Sequence, residues 1–146
     1  MASQMFNEGL ARLLSNLDWT GSGVIKARLI ATSPAKTVTS MTGLTAITNS
    51  TDQTLVQGNR TRTKDDTNNR IKLKYTTTLT WTAVNGGGTI QTLVIYVEDA
   101  AADASRVPLI LIDPTDLATN GSDITYTPPS NAPDSGDTSV VAYVTN

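Results

Sequence analysis

Between residues 3 and 17 the apolar side chains Phe6, Leu10, Leu13, Leu14 and Leu17 recur at the three-and-four spacing of one helical face. Asn7, Glu8, Arg12 and Ser15 fall on the other sides. The pattern predicts an amphipathic helix over 3–17, with Ser3 as N-cap and Gly9 weakening it by roughly 1 kcal/mol relative to alanine. A helix of this length is marginal alone in water, so its stripe must pack on its own sheet or on a neighbouring subunit.

After the turn Thr20-Gly21-Ser22-Gly23 the period changes to two. Residues Val24–Ala31 read as a strand, with Lys26 and Arg28 on one face and Ile25, Ala27 and Leu29 on the other. Residues 35–50 carry Val38, Met41, Leu44 and Ile47 at a spacing of three. Their threonines and Gly43 favour loop and short strand over helix. Short strand pieces are expected at 54–57 and 60–63, around Gly58-Asn59, followed by an exposed turn at 64–69. Arg70–Thr82 alternates most clearly, Ile71, Leu73 and Tyr75 against Arg70, Lys72 and Lys74, then Leu79 and Trp81 against threonines. Gly86-Gly87-Gly88 ends it as a hairpin tip. Ile90–Val97 and Val107–Ile112 are nearly continuous apolar runs, the mark of strands covered on both faces. Strands at 123–127 and 139–144, separated by the Pro- and Ser-rich loop 128–137, complete the chain.

The expected fold is mainly β: a β-sandwich or jelly-roll-like domain of seven or eight short strands with an N-terminal amphipathic helix. One domain spans 1–146, a helical arm at 1–20 and the sandwich at 21–146. Composition agrees, since threonine is the commonest residue with 25 copies and suits a pleated, half-solvated surface. The seven aromatic residues must anchor a core built chiefly from Val, Ile, Leu and Ala.

Cysteine and histidine are both absent. That excludes disulfides, thiol nucleophiles, thiolate metal sites and the Ser-His-Asp and Cys-His arrangements. Carboxylate chemistry stays formally open at Glu98, Asp99 and Asp103, yet few aromatics and no second domain are present to build a sugar cleft. Neither that loop nor Asp113–Asp116 has the residue order of an EF-hand calcium loop. No catalytic residue, cofactor or metal site is predicted, and the chain is expected not to be an enzyme. The first ten residues lack the pattern of a signal peptide, and no apolar run reaches the length of a membrane span.

Residues 1–97 hold ten basic and five acidic side chains, whereas 98–146 hold one basic and eight acidic. Folding either brings the two halves together and cancels the split, or leaves two faces of opposite sign suited to packing against another protein or another copy. Arg60, Arg62, Lys64, Arg70, Lys72 and Lys74 place six cations within fifteen positions, which share one face if the two segments pair. With only Tyr75 nearby and an acidic overall pI, docking onto an acidic protein surface is expected ahead of nucleic acid, and a simple solvated sheet face ahead of either; no nucleic-acid or membrane partner is expected.

The helix Asn7-Glu8-Gly9-Leu10-Ala11-Arg12-Leu13-Leu14 closes on Leu17-Asp18-Trp19, and a turn then leads to the strand Val24-Ile25-Lys26-Ala27-Arg28-Leu29-Ile30. Leu79-Thr80-Trp81, Leu93-Val94-Ile95-Tyr96, the acidic loop 98–103 and Pro108-Leu109-Ile110 follow in order. Over residues 5–113 this order resembles that of small tailed-bacteriophage virion proteins. The resemblance implies a capsid decoration (cement) protein, located on the virion surface, made in the host cytoplasm and without catalytic residues. It would bind the major capsid protein across subunit joints and associate with itself, a homotrimer being favoured. The expected contacts are the stripe Phe6, Leu10, Leu13 and Leu14 and the basic cluster Arg60, Arg62, Lys64, Arg70, Lys72 and Lys74, although the stripe also suits packing on its own sheet. A tail or head–tail joining protein is the alternative within this class. A carbohydrate-binding β-sandwich module is the alternative outside it; that role needs exposed aromatics, whereas Trp19 and Trp81 read as core.

Overall fold

The chain opens with a strand, not a helix. In the computed structural model, which describes residues 2–15, 17–128 and 139–145, Ala2–Met5 form β1 and the helix α1 spans Asn7–Ser15. Residues 3–5, expected to be helical, instead form a ladder against Ile110, Leu111 and Ile112. Extending the helix would gain a few local bonds, whereas the ladder satisfies an otherwise open sheet edge. Phe6 is fully buried at the junction, and its N–H donates to the Leu109 carbonyl.

The remaining strands are β2 (Ile25–Ile30), β3 (Gln53–Thr54), β4 (Arg60–Asp65), β5 (Arg70–Tyr75), β6 (Leu79–Trp81), β7 (Thr89–Ile90), β8 (Thr92–Glu98), β9 (Arg106–Asp113), β10 (Leu117–Ala118), β11 (Ile124–Tyr126) and β12 (Val140–Thr145). The chain is therefore mainly β, and among the described residues every strand pair is antiparallel. A five-stranded sheet runs β1-β9-β8-β2-β3, a three-stranded sheet β12-β5-β4, and two small pairs join β11 to β6 and β10 to β7. The segment 70–82, expected as one strand, divides into β5 and β6 in different sheets. The glycine turn 86–88 accordingly links two different pairs and is not a hairpin tip. The loop expected at 128–137 lies, beyond Pro128, outside the described residues.

The sheets pack face to face as a sandwich. Its main core joins Ile25, Ala27, Leu29, Leu93, Ile95 and Val97 of the large sheet to Leu73, Tyr75, Val141, Ala142 and Val144 of the three-stranded one. Trp19 and Trp81 sit within it at 0% and 1% exposure, which removes both as a platform for sugar. The other face of the large sheet forms a second core, Phe6, Ile30, Val94, Tyr96 and Leu111, roofed by Met41 and Leu44 from the loop at 31–50. A bulge between Ile95 and Tyr96 in the β8–β9 register lets Leu109 and Ile110 both face the main core.

Candidate functional site

Charge is concentrated in two places, with different chemistry. The first lies on the second face of the large sheet, beside the apolar roof. Arg28, only 6% exposed, is held bidentate by Asp52 (Nε–Oδ1 3.0 Å, Nη2–Oδ2 2.8 Å) and by Asp103 (Nη1–Oδ2 and Nη2–Oδ1, both 3.0 Å). Its remaining N–H donates to the Leu44 carbonyl, so all five guanidinium donors are satisfied. The network continues through Asp103 to Arg106, from Arg106 to Glu98, and from Glu98 to Lys26. The Tyr96 hydroxyl donates to Asp52 over 2.6 Å, and the guanidinium carbons of Arg28 and Arg106 both stand 5.5 Å from its ring centroid.

These groups satisfy one another. Hydrogen bonds from Lys26 and Arg106 hold Glu98 below the ordinary carboxylate range, and those from Arg28 and Arg106 do the same for Asp103. Burial raises the Tyr96 phenol, and its bond to Asp52 raises it further. Burial alone would lower Arg28, but its hydrogen bonds to Asp52 and Asp103 outweigh that and raise it. Three cations meet three carboxylates in a closed lock. The lock pins the loops at 44–52 and 99–106 to the sheet.

The acidic loop at 98–103 is thus an ionic latch, and Asp99 adds to it by pairing with Arg12 of α1. Lys26, Arg28 and Arg12 from the basic half meet Glu98, Asp103 and Asp99 from the acidic half, which cancels much of the charge split.

The second place holds the residues singled out in the sequence, and the structure divides them. Of the helix stripe, Phe6 is buried in the second core, while Leu10 and Leu13 pack half-buried against the main core. Leu14 alone of the four points outward, at 71% exposure. The six cations do sit on paired strands, but not on one face. Directly opposed residues in an antiparallel pair share a face, and β4 opposes Arg60 to Tyr75, Arg62 to Leu73 and Lys64 to Ile71. Arg60, Arg62 and Lys64 therefore share the face of the core residues, while Arg70, Lys72 and Lys74 share the other with Asp65.

Each triplet has its own surroundings. On the outer face Asp65 accepts from Arg70 at 2.9 Å and from Asn68, and pairs with Lys72 at 3.2 Å. Asn68, Arg70 and Lys72 together hold the Asp65 carboxyl well below its usual range. Arg70 also stacks over Tyr143 at 3.9 Å, and the Lys74 carbonyl accepts the Trp19 indole N–H at 3.0 Å. On the inner face Arg60 is 4% exposed, and its Nη2 donates to the Gly21 carbonyl. Its Nε and Nη1 are buried without a hydrogen-bond partner. Arg62 and Lys64 are exposed, and Lys64 pairs with an equally exposed Asp66.

Leu14, Arg62 and Lys64 line a groove of about 630 Å³ between the end of α1 and the β4–β5 hairpin. Ile71 and Val144 add apolar lining, and Asp18 and Asp66 add charge. Sequence reading missed Val144 and Asp18 because both reach the groove only through long-range packing.

The edge of β4 has a further property. The Thr76 N–H donates to the Asn59 carbonyl, which makes 59 and 76 a bonded pair. Alternation then makes 61–74, 63–72 and 65–70 the bonded pairs. The Tyr75 N–H agrees, since it turns the other way, to Ser139. Arg62 and Lys64 consequently direct both backbone N–H and C=O away from β5, at the outer end of the sheet order. Among the described residues, no three potential ligands cluster as a metal site, and no helix is long and apolar enough to cross a membrane. Compared with family models, curated proteins and solved structures, the chain matches none.

Proposed function

We propose that this chain is a structural protein that works by docking onto other proteins, and that its setting is the outer surface of a bacteriophage head, as a capsid decoration (cement) protein. The observation that carries the docking part is the groove beside β4. There an exposed leucine, Leu14, stands next to two exposed cations, Arg62 and Lys64. An apolar anchor ringed by charge is the composition of a protein-binding patch. The element order described above supports the phage setting, and the ion-locked sandwich suits a protein whose task is to resist mechanical load. In this reading no bond is made or broken. Copies of the domain bridge joints between major capsid subunits, and burial of each apolar contact contributes about 1.5–3 kcal/mol toward holding them closed.

The test is co-sedimentation of the purified chain with empty capsid shells, together with its solution mass by light scattering. Saturable binding at a fixed ratio to the major capsid protein supports decoration, and a trimer fits three-fold or quasi-three-fold joints. A ring of five, six or twelve copies with no shell binding transfers the assignment to the tail or the neck.

A further inference from the structure

We propose that the outer edge of β4 is a strand-addition site that takes an extended acidic segment of a partner protein, as a fourth strand of the β12-β5-β4 sheet. This deepens the docking reading and rests on it.

Three observations carry the inference. The edge is open: Arg62 and Lys64 point both main-chain groups outward, and both residues are exposed. Such a row of unpaired donors and acceptors is a ready template for another strand. The edge is flanked by positive charge on both faces, Arg60, Arg62 and Lys64 on one and Arg70, Lys72 and Lys74 on the other. Opposing them nearby are Asp18, Asp65 and Asp66. On the inner face, moreover, the Arg60 guanidinium is buried with two nitrogens unpartnered.

Those charges select the occupant. A second β4 laid on the first would oppose arginine and lysine to arginine and lysine, and like charges directly opposed are destabilising. A strand with carboxylates two residues apart instead sets them opposite Arg62 and Lys64, on the groove face, and its intervening residues beside Thr61 and Thr63. Main-chain bonds then supply affinity, and the carboxylate spacing supplies selectivity.

The probe is a capped octapeptide alternating glutamate with threonine, added to the isotope-labelled full chain, with amide hydrogen exchange read by NMR. The expected result is exchange slowed about tenfold or more at Arg62 and Lys64. Two controls should fail to produce it: the same peptide N-methylated at alternate residues, and a lysine–threonine analogue. Lys64→Pro removes one outward N–H without touching a β4–β5 bond and should abolish binding. Lys64→Ala keeps that N–H and should only weaken binding. Because the N-methylated peptide uses the unmodified chain, the test survives if the proline variant fails to fold.

Equal binding of the N-methylated peptide, or absence of protection at Arg62 and Lys64, overturns the proposal. So does protection that rises with concentration of the chain alone, which would make a second copy the occupant. Shell binding that persists when the peptide does not bind sinks this site and spares the decoration reading. Peptide binding without shell binding does the reverse.

Discussion

Gly9 rests directly on the backbone of Leu109: a Cβ built on Gly9 would lie 2.5 Å from the Leu109 Cα and 2.6 Å from its carbonyl oxygen. Read from the sequence, Gly9 is a defect in the helix. In the structure it is what lets α1 lie against β9 at the point where Phe6 also bonds to Leu109. Gly9→Ala should therefore lower stability by about 1–3 kcal/mol through overpacking, despite alanine's better helix propensity. Urea unfolding of the two proteins checks this; a more stable alanine variant would refute the close approach.

Arg28 stands between Asp52 and Asp103 with every donor used, so its removal takes a bidentate cation from both, leaving the Tyr96 hydroxyl on the mostly buried Asp52 and Arg106 on the more exposed Asp103. Arg28→Met should cost about 3–5 kcal/mol. Replacing Asp52 and Asp103 by leucine in the same variant should recover much of that, because the loss comes from uncompensated charge. Thermal unfolding of the single and triple variants separates this from simple loss of packing.

Acid should unlock the same network. Glu98 and Asp103 have folded-state pKa values below their unfolded ones, so their contribution is complete above the ordinary carboxylate range and is lost as pH falls through the folded values. Asp18 and Asp65 are shifted the same way. Stability should hold level from neutral pH to about 5 and then fall steeply. Arg106→Gln removes a partner of both Glu98 and Asp103 and should flatten that fall in a series of melting temperatures against pH.

At the alkaline end the sign reverses. Burial raises the phenols of Tyr96 and Tyr126, so the stability they contribute is complete below about pH 10 and is lost as pH rises through their folded-state values. In a spectrophotometric titration these two tyrosines should ionise late, together with loss of the native circular-dichroism signal. Tyr96→Phe should remove one of the late-titrating groups.

Leu14 offers a contrast with its neighbours on the helix. Leu14→Ser should leave stability within about 0.5 kcal/mol, whereas Leu13→Ser, which lifts a half-buried contact off the main core, should cost more. Denaturant midpoints of the pair check it.

The strands were legible where apolar and polar side chains alternate or where an apolar run is continuous. Ile25, Ala27 and Leu29 against Lys26 and Arg28 reveal β2, and the apolar runs reveal β8 and β9 as covered on both sides. Partner choice was not legible. Lys26 finds Glu98 and Arg28 finds Asp103 across 72 and 75 positions, and no local pattern encodes such pairs.

The division of the basic cluster has a specific cause. All six cations occupy even-numbered positions, and the strands are joined by the four residues 66–69, so Asp65 closes on Arg70. That register opposes even positions to odd ones. A slip of one residue would have put all six charges on one face. Turn geometry sets this parity, and the Asp65 bonds to Asn68, with Asn69 at a φ of 49°, fix the turn.

The ionic lock also imposes an order on the birth of the molecule. Arg28 leaves the ribosome long before Asp103, and the strand pairs of the large sheet likewise join distant segments. A nascent chain that has emerged only as far as residue 97 carries ten cations, five anions and nearly all of four of the large sheet's five strands, without β9 and without Glu98, Asp99 and Asp103. The large sheet can be completed only once β9 has emerged to join β1 to β8, and the main core only once β12 supplies Val141, Ala142 and Val144.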